Sequence, residues 1–156
     1  MLTEETDCLF PFLMAQRLKG KLQRIVEPLV QPEELTILQS YCLMMISQQD
    51  MTVGALSEQL LTGQANTSTM CKKLEKAGYL KRVRKAEDER VVTLKLTEQG
   101  EQTLERIRER AKQYTDAFRQ LPPQVLDDLR RGLQAADFVL DYLSSHSCPT
   151  EQEIHK

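Results

Sequence analysis

Asn66, Ser68, Thr69, Lys72, Lys73 and Lys76 fall within one short stretch of chain, spaced so that a helix gathers them on one side. Short amide and hydroxyl groups come first and ammonium groups later. Such an order suits contact with a nucleic acid, because short polar side chains can approach base edges while flexible lysines meet phosphates. A second group follows at Arg84, Lys85, Asp88 and Arg90. Its guanidinium groups have the charge and reach for a narrow minor groove, where the potential is most negative. Asp88 is placed to pair with Arg90 and set its direction, whereas Glu87 and Glu89 read as solvated charges.

The four cysteines offer a different chemistry. In a cytosolic chain they are expected to be thiols rather than a structural framework. Cys42 and Cys71 lie on apolar stripes and read as small core residues. Cys8 precedes an L-F-P-F-L run at the beginning of the first helix, where free amide groups favour a thiolate. Catalysis has no visible centre. Both histidines, His146 and His155, stand in the last stretch, and no glycine-rich phosphate loop or metal-ligand pair at helical spacing occurs. The expectation is therefore no enzyme, no cofactor and no metal site. Asp127 and Asp128 read as ordinary charges on an outward helix face.

Charge placement supports nucleic-acid contact. Between Gln64 and Leu96 nine Lys or Arg face four acids, a net +5, while the whole chain carries −2 and the remainder therefore −7. A basic patch on an acidic body is the footprint of phosphate binding, although charge alone fits a solvated helix face equally well.

The elements needed to position these groups are legible. Thr67, Met70, Cys71, Leu74 and Ala77 form an inward stripe behind the basic face. Gly78 stands where a left-handed helix cap is wanted. A preceding helix, roughly Thr52 to Leu61, has Thr52 as N-cap and an apolar side in Val53, Leu56 and Leu60, with Thr62-Gly63 as the turn. After Gly78, the alternating run Leu80 to Arg84, a polar tip at 85–90 and the β-rich run Val91 to Leu96 read as a hairpin. Helix, turn, basic helix and charged hairpin in that order describe a winged helix-turn-helix, whose second helix enters a DNA groove.

The runs KKLEKAGYL (72–80), RKAEDER (84–90) and LKLTEQG (94–100) resemble the MarR family of bacterial transcription regulators. The Asp88-x-Arg90 wing and the Leu96-Thr97-Glu98-x-Gly100 boundary are the most specific parts. The resemblance implies a homodimer offering two recognition helices and two wings to a pseudo-palindromic operator in double-stranded DNA. It places Ser68, Thr69, Lys72 and Lys73 at recognition-helix positions and Arg90 at the wing arginine. It implies a repressor released either by a small apolar or aromatic effector or by thiol oxidation. Cys8 is similar in position to the peroxide-sensing cysteine of the OhrR branch. Oxidation through a sulfenic acid, to a disulfide with the partner subunit's Cys148 or with a small thiol, would move the recognition helices apart. A buried, inert Cys8 stands beside that expectation. An effector pocket would draw on Met14, Met44 and Met45, for which core packing is an equal explanation.

The flanks point to self-association on their own spacing. Leu104, Ile107, Ala111, Tyr114 and Phe118 form one seam, ended by Leu121-Pro122-Pro123; Leu126, Leu129, Leu133, Ala136, Leu140 and Leu143 form another. Near the start, Leu18, Leu22, Ile25 and Leu29 give a seam bounded by Pro11 and Pro28. Leu35, Leu38, Cys42 and Met45 give one more beside Pro32. An intramolecular bundle is the plainer use of such seams. The expected architecture is mainly α with a small β-hairpin wing: one domain over 1–156, its winged helix-turn-helix region at 33–97, dimerisation helices at 1–30 and 98–145, and a flexible tail at 146–156. No apolar run reaches bilayer-spanning length and no secretory pattern opens the chain, so no membrane partner and a bacterial cytoplasmic address are expected. A winged helix can also face a protein partner instead of DNA. Such a module would expose apolar groups on the second helix, and this one exposes lysines.

Overall fold

The structure, a computed structural model, describes the backbone of residues 4–84 and 91–145, with side chains from residue 13 onward. The elements run α1 (Glu4–Val30), a 3-10 turn (Gln31–Glu33), α2 (Ile37–Gln48), α3 (Val53–Gln59), α4 (Gln64–Lys76), β1 (Leu80–Arg84), β2 (Val92–Leu96), α5 (Glu98–Arg119) and α6 (Pro123–Ser145). The fold is mainly helical with one antiparallel hairpin, the winged helix-turn-helix arrangement read from the sequence. Two compact units divide between Lys112 and Gln113.

Local chemistry sets the boundaries. Thr36 and Gln39 close a capping box at the start of α2: the Gln39 amide donates to the Thr36 hydroxyl (3.2 Å) and the Thr36 amide to Gln39 Oε1 (2.8 Å). Thr52 caps α3 by accepting from the Ala55 amide at 3.2 Å. Helix α4 ends in a Schellman motif. Gly78 takes φ +83°, its amide donates to Glu75 O, and Tyr79 donates to Leu74 O, both at 3.0 Å. The hairpin pairs Leu80 with Leu96 through Arg84 with Val92. Leu94 also donates to Met51 O at 2.7 Å, a one-residue bridge that ties the α2–α3 connection to the wing.

The first unit closes over a core contributed by α2, α3, α4, the hairpin and α5. Cys42 and Leu43 come from α2, Leu56 from α3, Cys71 and Leu74 from α4, Leu80 and Leu94 from the hairpin, and Leu104 from α5. Each fully buried leucine contributes about 1.5–3 kcal/mol. In α6, by contrast, no residue is buried within the single chain.

Several expectations give way. Pro11 and Pro28 do not bound the first helix, because α1 runs through both; each removes one amide from a 27-residue element that keeps its other bonds. The expected seam of α2 is rotated: Leu38 is exposed, and Ser40, Leu43 and Ile46 share the buried side with Cys42. Ala77 is exposed as the C-cap of α4 rather than part of its inward stripe. Helix α3 stops at Gln59, short of the expected Leu61.

Candidate nucleic-acid interface

The turn before α4 is fixed by hydroxyl groups more than by apolar packing. The Ser57 hydroxyl donates to Thr62 O at 2.5 Å, and the Thr62 amide returns a bond to Ser57 O at 3.2 Å. The hydroxyls of Thr62 and Thr67 lie 2.7 Å apart, and Thr67, fully buried, also donates to Gly63 O at 3.3 Å. The sharp reversal falls one residue earlier than the sequence suggested. Leu61 takes φ +49°, with its side chain 94% exposed, and Gly63 is an extended N-cap. A leucine in the left-handed region carries strain of about 1–2 kcal/mol.

Behind this turn, Thr67, Cys71 and Leu74 bury the inner side of α4. Asn66, Thr69, Lys72, Lys73 and Lys76 are exposed on the other side, and Ser68 is half-buried. The Thr69 hydroxyl donates back to Ala65 O at 2.9 Å, so it faces outward as an acceptor. Among the described residues no carboxylate pairs with Lys72, Lys73 or Lys76, whereas Arg82 pairs with Glu75 and Lys95 with Asp50, both at 3.2 Å. The basic patch is therefore concentrated on α4, because part of the hairpin's charge is met by its own chain.

A recess of about 260 Å³ joins this face to the start of α2, bringing Thr36 and Gln39 beside Asn66, Thr69 and Lys73. Sequence reading missed Thr36 and Gln39 as members of this surface; the T-x-x-Q spacing of a capping box was the available signal. Arg84 is exposed at the end of β1. Lys85, Asp88 and Arg90 lie outside the described residues, as do Cys148 and the side chain of Cys8.

The base of the wing is held by Thr97. Its amide donates to Tyr79 O at 3.1 Å and its hydroxyl to Gly78 O at 2.5 Å, while the Thr97 hydroxyl oxygen accepts from the Gly100 amide at 3.1 Å. A Cβ at Gly100 would sit 2.0 Å from Tyr79 O. The Leu96-Thr97-Glu98-x-Gly100 pattern thus has a mechanical meaning: it locks the end of α4 to the start of α5.

Cys42 and Cys71 both lie fully buried in the same core. The neighbouring Cys71 thiol and the burial hold the Cys42 thiol far above the ordinary range, so it stays protonated. Among the described residues no group of three or more His, Cys, Asp or Glu could hold a metal ion. A groove of about 690 Å³ opens between α1 and α2, lined by Leu22, Val30, Leu35, Ile37, Leu38 and Tyr41 among others. Met14, Met44 and Met45 are not in its lining; Met14 and Met44 are exposed and Met45 packs against the core. Among the described residues no helix is long and apolar enough to cross a membrane.

Comparison with known proteins follows the same geometry. The transcriptional regulator SarA/Rot family matches residues 24–107, which takes in the whole helix-turn-helix and wing. No curated protein matches in sequence. Among solved structures, a MarR family transcription regulator superposes with TM-score 0.74 at 23% identity, covering 93% of this chain and 98% of that one. AbsC, a MarR family transcriptional regulator from Streptomyces coelicolor, gives 0.71 at 21% identity, covering 90% and 97%. A mutant MarR from E. coli complexed with operator DNA gives 0.71 at 21% identity, covering 86% and 97%. The resemblance to the MarR family read from the sequence is thus matched by the fold.

Proposed function

Because the chain belongs to the SarA/Rot family of transcriptional regulators, we propose that it acts as a homodimeric repressor that reads a pseudo-palindromic operator through α4 and the wing. The chain is a transcription regulator and not an enzyme; the dimer, the repression and the contacting residues are our reading. One observation carries it. The outward face of α4 presents Lys72, Lys73 and Lys76 without carboxylate partners among the described residues, beside the short polar side chains of Asn66, Ser68 and Thr69. Lysines left unpaired by the described residues are groups from which phosphates displace counterions.

The DNA-reading region spans 33–97, and the helices at 1–30 and 98–145 bring two copies together. The uncovered apolar residues of α6 support this assignment. The two recognition helices then enter successive major grooves about 34–36 Å apart, with Arg90 in the flanking minor groove and Arg84, Lys85 and Asp88 beside it. Release comes from a small apolar or aromatic effector, for which the groove between α1 and α2 is the candidate seat, or from oxidation of Cys8 with Cys148 as partner thiol. An effector releases the protein by binding the DNA-incompetent arrangement more tightly than the competent one.

The test is a fluorescence-anisotropy titration on DNA from upstream of the protein's own gene, at several salt concentrations. Replacing Lys72 and Lys73 together by Ala should weaken binding to every duplex and flatten the salt dependence by about two phosphate contacts. Unchanged affinity in that variant would remove α4 from the interface. Repeating the titration after a stoichiometric organic hydroperoxide separates the two release modes. Loss of binding that thiol restores favours the cysteines, and indifference to oxidant favours the groove.

A further inference from the structure

Glu33 lies in the 3-10 turn between α1 and α2, its side chain only 9% exposed. Two arginines of α5 enclose it. Arg106 donates to the carboxylate through Nε (3.1 Å) and Nη2 (2.7 Å), and Arg110 Nη2 donates to the other oxygen at 2.7 Å. Both arginines carry the grip further. Arg110 Nε donates to Leu29 O at the end of α1 (2.8 Å), and Arg106 Nη2 to the Thr103 hydroxyl (2.8 Å). The main-chain oxygen of Glu33 accepts from the Tyr79 hydroxyl at 3.2 Å, and Tyr79 is the residue that closes the cap of α4. The bond from Arg106, opposed by burial and helped by Arg110, pulls the Glu33 carboxyl down to about 2. It is a permanent charge at any physiological pH.

One residue thus joins the exit of α1, the middle of α5 and the foot of the recognition helix. We propose that Glu33 is a positioning residue for operator reading, and that its clamp sets the half-site spacing the dimer accepts. The inference rests on the dimeric DNA-binding function proposed above. Under that function α1 and α5 belong to the helices that meet the second copy, while α4 meets the DNA. The angle between them at Glu33 then fixes where each α4 arrives on the duplex. The lever is long: α1 has 27 residues, about 40 Å. A tilt of about 5° across that length moves its far end by about 3.5 Å, close to the 3.4 Å rise of one base pair. A shielded carboxylate gripped by two arginines, one of them bidentate, resists such a tilt better than a single exposed pair.

The test measures affinity for a series of duplexes carrying two inverted half-sites from the upstream DNA. Their separation is changed by one and two base pairs either way, at one salt concentration. Wild-type affinity should peak at one spacing and fall about tenfold per base pair away from it. Glu33→Gln should flatten or shift that peak, so that neighbouring spacings differ by less than about threefold. Tyr79→Phe removes only the bond to Glu33 O and keeps every charge. It should flatten the profile in the same direction but less, and it serves if Glu33→Gln does not fold. A folded variant whose affinity drops equally at all spacings, with the peak unmoved, overturns the positioning role and leaves the DNA function standing. A wild-type chain that binds none of the duplexes overturns the DNA function, and the spacing role falls with it.

Discussion

Helices α4 and α6 carry the same kind of apolar stripe and meet opposite fates. In α4, Cys71 and Leu74 are 0% and 1% exposed, covered by α2, the hairpin and their neighbours in the core. In α6, Leu129, Leu133 and Leu140 remain 50%, 60% and 53% exposed in the single chain. Periodicity says which face of a helix wants covering, but not whose side chains will do it. The contrast separates a unit that satisfies itself from a helix that carries an unmet demand, and the proposed second copy is the answer to that demand.

The strongest way to break this contrast uses two helical glycines. Gly100→Ala drives a Cβ to 2.0 Å from a main-chain oxygen, and the backbone at Tyr79 has no rotamer with which to yield. We expect a loss of about 3 kcal/mol or more, seen as roughly a 10 °C drop in Tm by circular dichroism. Gly132→Ala in α6 meets nothing within 4 Å and should gain about 1 kcal/mol of helix propensity. A loss at Gly132 instead would show a neighbour packed against that glycine, sharpening the picture of α6 as an interface.

The next effect compares leucines. Leu43→Ala removes a side chain with 0% exposure and should cost about 3 kcal/mol at any protein concentration. Leu133→Ala should leave the reading unit folded and weaken self-association, raising the dimer dissociation constant about tenfold in sedimentation equilibrium. If its cost is instead independent of concentration, α6 is satisfied from within its own chain.

Acid tests the clamp. Glu33 has its folded-state pKa lowered from 4.5 to about 2. Its contribution to stability is full above about pH 4.5, because the unfolded chain takes the proton first, and is lost as pH falls towards 2. Urea unfolding of wild type and Glu33→Gln should therefore differ most above pH 4.5 and converge in strong acid. A gap that stays constant with pH would mean that the carboxylate charge is not what matters. The smallest expected effect is at Leu61. With 94% of its side chain exposed and φ +49°, Leu61→Gly should relieve strain and lose no packing, gaining about 0.5–1 kcal/mol.

What the sequence made legible was local. The Thr52 cap, the Gly78 turn, the hairpin and the lysine face of α4 each depend on residues close in the chain, whose types have few other uses. Where the reading slipped, distant context decided. Proline at 11 and 28 looked like a boundary because one lost amide is the only effect visible locally, while the remaining bonds of α1 are not. Leu38 fitted the stripe by spacing, yet the core selects Leu43, one position along from Cys42. The Glu33 clamp was out of reach altogether, since its arginines lie 73 and 77 residues away. On the candidate interface, the outward position of the α4 residues was read from pattern. Thr36 and Gln39 were missed because only the folded chain brings the start of α2 beside them.

The pair of thiols beneath α4 gives the molecule a clock. Cys42 and Cys71 are sealed from solvent, so an alkylating reagent reaches them only when the seam between α2 and α4 parts. In a chain whose Cys8 and Cys148 are replaced by serine, their labelling rate becomes a direct count of such openings. DNA bound across the outer face of α4 should slow that count. An effector that releases DNA by loosening the seam should quicken it, and one that only tilts the whole reading unit should leave it unchanged.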